Sequence, residues 1–406
     1  MDLKEQKFGV EYEFTGICRE DAASIMADFF RDDYNYVGGA YDTYKVTDDQ
    51  NRIWKIVYDS SIDAYDSDGD YADPEYKCEL VTPICQYEDI ETIQKLLRRL
   101  FENGSRVNSS CGIHIHVDGS NHNARSIKNL VNIMASKEDV IIKALGVHPN
   151  RQETYCKKTD PNFLSKINAV RSPSLDKIKD LWYNGRSNAY LSHYDASRYR
   201  CLNLHSFFGR NNTVEFRCFN SCKHAGKVKA YIQFCLAISA QAINQRSSRY
   251  QPMDRANDKY TFRTWMLRMQ LIGDEFKTCR LHMLANLEGT SDYKDREAAL
   301  ERHRQMAQVL ASRVERARQE SSDPENFSID QLPSRTTFGA DGQPIFSLRE
   351  QLDHFLESIN ADANITLAER NQILAILESK SSATSRTTEE QQETTIPASR
   401  SSGRSR

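Results

Sequence analysis

The chain reads as an α+β protein built on a mainly antiparallel sheet, and three observations predict that class. Short apolar runs alternating with polar residues recur through the first 120 residues and return near 199–219, the period of two that marks half-buried strands. Segments with apolar residues three and four apart lie between them, the spacing of helices with one buried face. Turn-forming clusters, Asp48-Asp49-Gln50-Asn51 and Gly209-Arg210-Asn211-Asn212, join neighbouring strand-like runs as hairpins.

The alternation predicts strands over 7–14, 41–47, 52–59, 77–82, 112–118, 199–206 and 213–219. Helices are predicted at Glu20 to Phe30, at Asp89 to Phe101 closed by Asn103-Gly104, and over 124–145 ending at Gly146. Residues 147–198 are polar and turn-rich, with Leu175 to Trp182 as their clearest helix, and read as an insertion or lid. A strongly apolar helix follows over 225–245. These elements make a first domain over 1–250, with a helical extension over 251–320. In that extension Ala299, His303, Met306, Leu310, Val314 and Ala317 fall on one face. A Ser, Pro and Asp-rich linker is expected over 321–346 and a short helical pair over 347–380. The last 26 residues (381–406) hold almost no large apolar side chain, so burial cannot offset the entropy of ordering them, and they are expected to be a disordered tail.

With 406 residues, 39% of them hydrophobic, there is ample material for a core. No apolar run approaches the roughly 18 residues of a membrane span, and the start lacks the apolar stretch of a secretory signal. The reading is therefore a cytoplasmic protein that does not enter the membrane. Ten cysteines in a chain this long, several inside apolar runs, read as reduced thiols. Basic residues number 54 against 57 acidic, a net charge of −3, so no global field draws the chain to nucleic acid.

Charged residues sit among the strands in a pattern that bulk composition does not explain. Glu11 and Glu13 share one face of the first strand while Val10, Tyr12 and Phe14 cover the other. Glu79 lies in Cys78-Glu79-Leu80-Val81, His114 and His116 alternate with Ile113, Ile115 and Val117, Asp59 ends the strand that holds Trp54, and Glu215 and Arg217 share a face later on. Burying unpaired charge in this many strands is costly, so a cation is expected to gather them. Mg²⁺ takes oxygen ligands and shares them with phosphates, and a guanidinium at Arg217 would neutralise a transferring phosphoryl group.

Six segments in order carry a resemblance. They are Gly9-Val10-Glu11-Tyr12-Glu13-Phe14, Trp54 leading to Asp59-Ser60-Ser61-Ile62, Glu79-Leu80-Val81-Thr82-Pro83, Cys111 to Val117, Leu202-Asn203-Leu204 and Thr213-Val214-Glu215-Phe216-Arg217. Together they resemble the amidoligase family, a branch of the carboxylate–amine ligases that includes glutamine synthetase and glutamate-cysteine ligase. The resemblance spans about residues 6–245. It implies a curved, mainly antiparallel sheet with the acids on its concave face and helices on its convex face. It also implies ATP-dependent joining of a carboxylate to an amine through an acyl phosphate. In that reading Glu11, Glu13, Glu79, His114 and Glu215 hold Mg²⁺. Arg217, Glu215 and His116 serve the reaction, and Asp59, Ser61, Arg200 and Asn203 contact nucleotide or substrate. Two positions depart from the family pattern: Thr82 stands where Ser is more usual, and Asp118 where Gly is common.

The expected partners are a carboxylate and an amine, either small or carried on a peptide or protein side chain; ligases of this kind often form homo-oligomers. Two other readings stand beside the ligase: a metal-dependent phosphotransferase of related fold, and a non-catalytic scaffold. A hydrolase using Glu11 and Glu13 as acid and base is disfavoured, because carboxylates on the same side of one strand cannot flank a bond from opposite sides. Asp66, Asp68, Asp70 and Glu75 partly mimic a calcium loop, but Ala64 occupies the first ligand position.

Overall fold

Eight strands hydrogen-bond into one open antiparallel sheet in the computed structural model, which describes residues 1–291, 296–332, 334, 337–338, 344–361 and 365–379. In chain order they are β1 (Phe8–Phe14), β2 (Asn35–Gly38), β3 (Thr43–Thr47), β4 (Ile53–Tyr58), β5 (Cys78–Val81), β6 (Gly112–Asp118), β7 (Leu202–Asn203) and β8 (Thr213–Asn220). Across the sheet the order is β2-β3-β4-β5-β1-β6-β8-β7, so the first strand is an inner one. Its register sets everything around it: Glu11 lies opposite Val81 on β5 and His114 on β6, Glu13 lies opposite Glu79, and His116 lies opposite Glu215 on β8.

One face of this sheet is the core. Val10, Tyr12, Phe14, Trp54, Ile56, Leu80, Ile113, Ile115, Val214 and Phe216 are buried there, each large side chain contributing about 1.5–3 kcal/mol by leaving water. The helices of the first compact unit, Met1–Ser291, are α1 (Arg19–Phe30), α2 (Asp89–Glu102), α3 (Ala124–Leu145), α4 (Pro149–Thr154), α5 (Pro161–Ala169), α6 (Leu175–Trp182), α7 (His205–Phe208), α8 (Ala225–Asn244), α9 (Asp258–Arg268) and α10 (Lys277–Leu284). Helix α2 buries Ile90, Ile93, Leu96, Leu97 and Leu100, and α1 packs on β3 and β4 while α8 packs on β6. Helix α3 begins with a reciprocal cap between Asn123 and Ser126 and stops at Gly146, whose left-handed backbone (φ 59°) ends the helix without side-chain strain.

The structure differs from the sequence reading at several places. Strand β2 was not expected; three of its four residues are exposed, so it carries no alternation and exists through its pairing with β3. The run expected as a strand over 199–206 keeps only Leu202–Asn203, because Leu204 turns helical and α7 begins at His205. Helices α9 and α10, beyond residue 250, belong to the first unit: Phe262 and Trp265 of α9 pack against Phe234 of α8. The stretch 147–198 contributes Phe163, Ile167, Ile178 and Tyr183 to the same core.

The second unit, described by itself, contains α11 (Arg296–Gln319), α12 (Leu348–Ala361) and α13 (Leu367–Ser379) with a two-stranded pair, β9 (Thr337–Phe338) and β10 (Pro344–Ile345), inside the expected linker. Its core holds Leu300, Ala307, Leu310, Val314, Leu352, Phe355, Ile359 and Ile373. Met306, expected on the buried face of α11, is 49% exposed; its neighbour Ala307 takes the inward position. The expected tail over 381–406 lies outside the described residues. Among the described residues no helix is long and apolar enough to cross a membrane.

Candidate active site

The face of the sheet opposite the helices α1, α2 and α8 carries the charged residues. Period-two alternation on β1, β5, β6 and β8 turns Glu11, Glu13, Glu79, His114, His116, Glu215 and Arg217 to one side, and the register places them in adjoining rows. Five of them, Glu11, Glu13, Glu79, His114 and Arg217, line a cavity of about 1090 Å³ together with Asp59. Glu11 is also in the wall of a smaller cavity of about 330 Å³, with His116, Thr82 and Ile84.

Distances within the cluster are short. His114 Nδ1 is 3.0 Å from Glu11 Oε2 and its Nε2 is 3.5 Å from Glu13 Oε1. His116 Nε2 lies 3.3 Å from Glu11 Oε1 and 3.9 Å from Glu215 Oε1, yet it makes no hydrogen bond although it is buried. The other ring nitrogen, Nδ1, is 2.9 Å from Thr213 Oγ1. Arg217 donates to Glu215 Oε1 at 2.5 Å and Asn203 Nδ2 donates to Glu215 Oε2 at 2.6 Å. The Gly112 amide donates to Glu13 Oε2 at 2.5 Å.

Three sets of donor atoms converge to within 4.8 Å of one another: Glu11, Glu79 and His114; Glu11, His116 and Glu215; Glu13, Asp59 and Glu79. Glu11 and Glu79 each belong to two sets, so the three form one continuous patch. Its electrostatics are those of an anionic cluster only partly neutralised. The Glu79 carboxyl is held well above the usual carboxylate range, first by burial and then by Glu11, Glu13 and Asp59 facing it. Among the described residues it has no hydrogen-bond or ion-pair partner. Burial also opposes ionisation of Glu11 and Glu215, but there it is outweighed. His116 and His114 bring Glu11 well below the usual range, and Arg217 with His116 brings Glu215 to about 2. In His116 burial favours the neutral ring, and the charges of Glu215 and Glu11 raise it instead.

Most residues singled out from the sequence meet here. Asp59, expected at the nucleotide, joins the donor set of Glu13 and Glu79, and its Oδ1 accepts from the Ser61 amide at 2.7 Å, which holds Ser61 at the cavity wall. Asn203 acts through Glu215. Arg200 is elsewhere: it donates to Lys158 O and pairs with Asp160 at 3.0 Å, and it does not line the acidic cavity.

Four cations in the cavity wall were missed: Arg151, Lys45, Lys55 and Arg198. Arg151 on α4 is buried, donates to Ser110 O at 2.9 Å and stands 3.8 Å from Glu13. It packs so tightly on Gly112 that a Cβ there would lie 2.0 Å from its Nη2. Nothing local in the sequence ties residue 151 to residue 112. Lys45 and Lys55 face each other across β3 and β4 in the same cavity wall, and like charges directly opposed are unfavourable without an anion between them. The alternation that turns Trp54 and Ile56 inward was the signal that could have found Lys55.

A family model described as "Putative amidoligase enzyme" matches residues 4–239, more than half of the chain and all eight strands of the sheet. The chain belongs to the amidoligase family. Membership points to an amide-forming ligase, and the match ends within α8, so α9 to α13 lie beyond it. No curated protein matches this amidoligase chain.

Proposed function

We propose that this amidoligase-family chain is an ATP- and Mg²⁺-dependent carboxylate–amine ligase. The observation that carries the reading is the set of three overlapping donor groups on one sheet face, with Glu79 burdened by like charges and His116 Nε2 buried without a hydrogen bond. Such a donor set fits divalent cations: the oxygens suit Mg²⁺, and a ring nitrogen whose partner atom is already oriented by Thr213 is arranged as a ligand. Glu11, Glu13, Glu79, His114 and Glu215 would hold the ions, with His116 and Asp59 beside them. Bound Mg²⁺ would draw charge off the phosphates of ATP.

The chain's own residues supply the rest. Arg217, fixed by Glu215, stands where negative charge would build on a phosphoryl group in transit. Lys45 and Lys55 answer the remaining phosphate charge from β3 and β4. The substrate carboxylate would attack the terminal phosphorus of ATP and release ADP. The amine would then attack the acyl carbon and expel phosphate, leaving the amide. The smaller cavity shares Glu11 with the larger, which suits a substrate held on the other side of the ions from the nucleotide.

Calorimetry of ATP binding to the full chain, with and without Mg²⁺, tests this. Wild type should bind only with Mg²⁺, and Glu79→Gln and Glu215→Gln should each lose that binding; a wild-type chain that binds no nucleotide sinks the ligase. Release of ADP that needs an amine, with amide as product, separates a ligase from a phosphotransferase.

A further inference from the structure

A second cleft, of about 1250 Å³, opens between the N-terminal turns of α3, helix α5 with the turn after it, and the segment that follows α8. It shares no wall with the acidic cavity, and its character is the reverse. Arg125, Lys128, Arg171, Arg246 and Arg249 line it together with four serines, and no acidic side chain does among the described residues. This in a chain whose acids outnumber its bases, 57 to 54, is a segregation of charge, and five like charges around one space repel one another unless an anion sits among them.

The cations are arranged to be available. Arg125 is steadied by donating to Ile243 O at 3.2 Å and Lys128 by donating to Val170 O at 2.5 Å, bonds to neutral carbonyls that leave both charges uncompensated. Arg171, Arg246 and Arg249 are exposed and have no hydrogen-bond or ion-pair partner among the described residues. Burial pulls the Lys128 ammonium below its ordinary range, as expected of a cation lacking a counter-charge. Four of the five are arginines, whose planar fork binds phosphate oxygens in pairs. A phosphate monoester carries about −1.5 to −2, so five cations match two or three such groups. The five cations surround a concave space, a shape that suits a soluble molecule.

We propose that this cleft is a binding site for a soluble ligand carrying two or three phosphate groups, separate from the acidic cavity. The test is calorimetry of the full chain with inorganic tripolyphosphate in chelator, so that metal-dependent binding does not contribute. Wild type should bind, and the double variant Arg246→Ser/Arg249→Ser, which alters only exposed unpartnered side chains, should bind at least about 10-fold more weakly. Glu79→Gln should bind as wild type does. Double-variant binding within about twofold of wild type, or loss of binding in Glu79→Gln, overturns the assignment. So does binding of hexaglutamate as tight as that of tripolyphosphate, which would give the cleft to an acidic peptide. A short oligothymidylate binding far more tightly than tripolyphosphate would give it to a nucleic-acid strand and overturn the proposal equally.

Discussion

His122 ties the stability of the first unit to pH in a way the structure makes calculable. The ring is buried at the start of α3, with Nδ1 3.1 Å from Ser126 Oγ and Nε2 2.9 Å from Ser239 Oγ. Ser239 gives its hydroxyl hydrogen to Gln6 Oε1 at 2.6 Å, so Nε2 carries the hydrogen of a neutral ring, while Ser126 Oγ beside Nδ1 is also within donating distance of Asn123 O at 3.0 Å. Burial holds the ring's pKa at about 4, with Asp118 pulling only weakly the other way. In the unfolded chain it returns to about 6.5. A base whose folded value is depressed stabilises the fold fully above the unfolded value and loses that contribution as pH falls towards the folded one. With these values, going from about pH 7.5 to about pH 4.5 removes about 2.5 kcal/mol of stability through this ring alone. Urea unfolding followed by tryptophan fluorescence reads it, since Trp54, Trp182 and Trp265 all lie in the first unit. His122→Gln keeps a donor towards Ser239 but cannot titrate. Its loss between the two pH values should be smaller than wild type's by about 2.5 kcal/mol, with every other titrating group common to both proteins. Equal losses would refute the burial argument.

Other expectations follow from the site. Glu79→Gln removes one of several facing carboxylates, so in chelator it should raise the unfolding free energy by about 1–3 kcal/mol; in Mg²⁺ the order should reverse, and thermal unfolding in the two buffers checks both signs. Gly112→Ala forces Arg151 off Glu13 and should cost about 1–3 kcal/mol while weakening Mg²⁺-dependent ATP binding. A variant with wild-type melting temperature would show that Arg151 is not packed as described. Asn203→Ala frees Glu215 Oε2 and should weaken metal affinity about 10- to 100-fold, read by Mg²⁺ titration; unchanged affinity would remove Asn203 from the site.

What could be read from the sequence was whatever depends on neighbours in the chain. Alternation along β1, β5, β6 and β8 is a property of consecutive residues, so the shared face of Glu11, Glu13, Glu79, His114, His116, Glu215 and Arg217 followed from it. Helix α2 and the stop of α3 at Gly146 were legible for the same reason. Arg151 was not, because its role comes from a contact between α4 and Gly112 on β6 that no local pattern encodes. Arg200 lies two residues before Leu202, close to the true strand in sequence, but its side chain is held away by Asp160 and Lys158 O. Strand β2, made by pairing alone, left no mark in hydropathy.

The inner position of β1 has a further bearing on how the chain finds its fold. Because successive side chains alternate, sliding this strand by one residue against β5 and β6 would send Glu11 and Glu13 into the layer packed by α8 and expose Val10, Tyr12 and Phe14. A mispaired sheet would thus bury two carboxylates among hydrocarbon, a penalty far larger than the hydrogen bonds it kept. The two acids therefore disfavour a slipped alignment of β1 during assembly. A variant with both glutamates made apolar should fold to more than one pairing, visible as doubled amide resonances for β5 and β6.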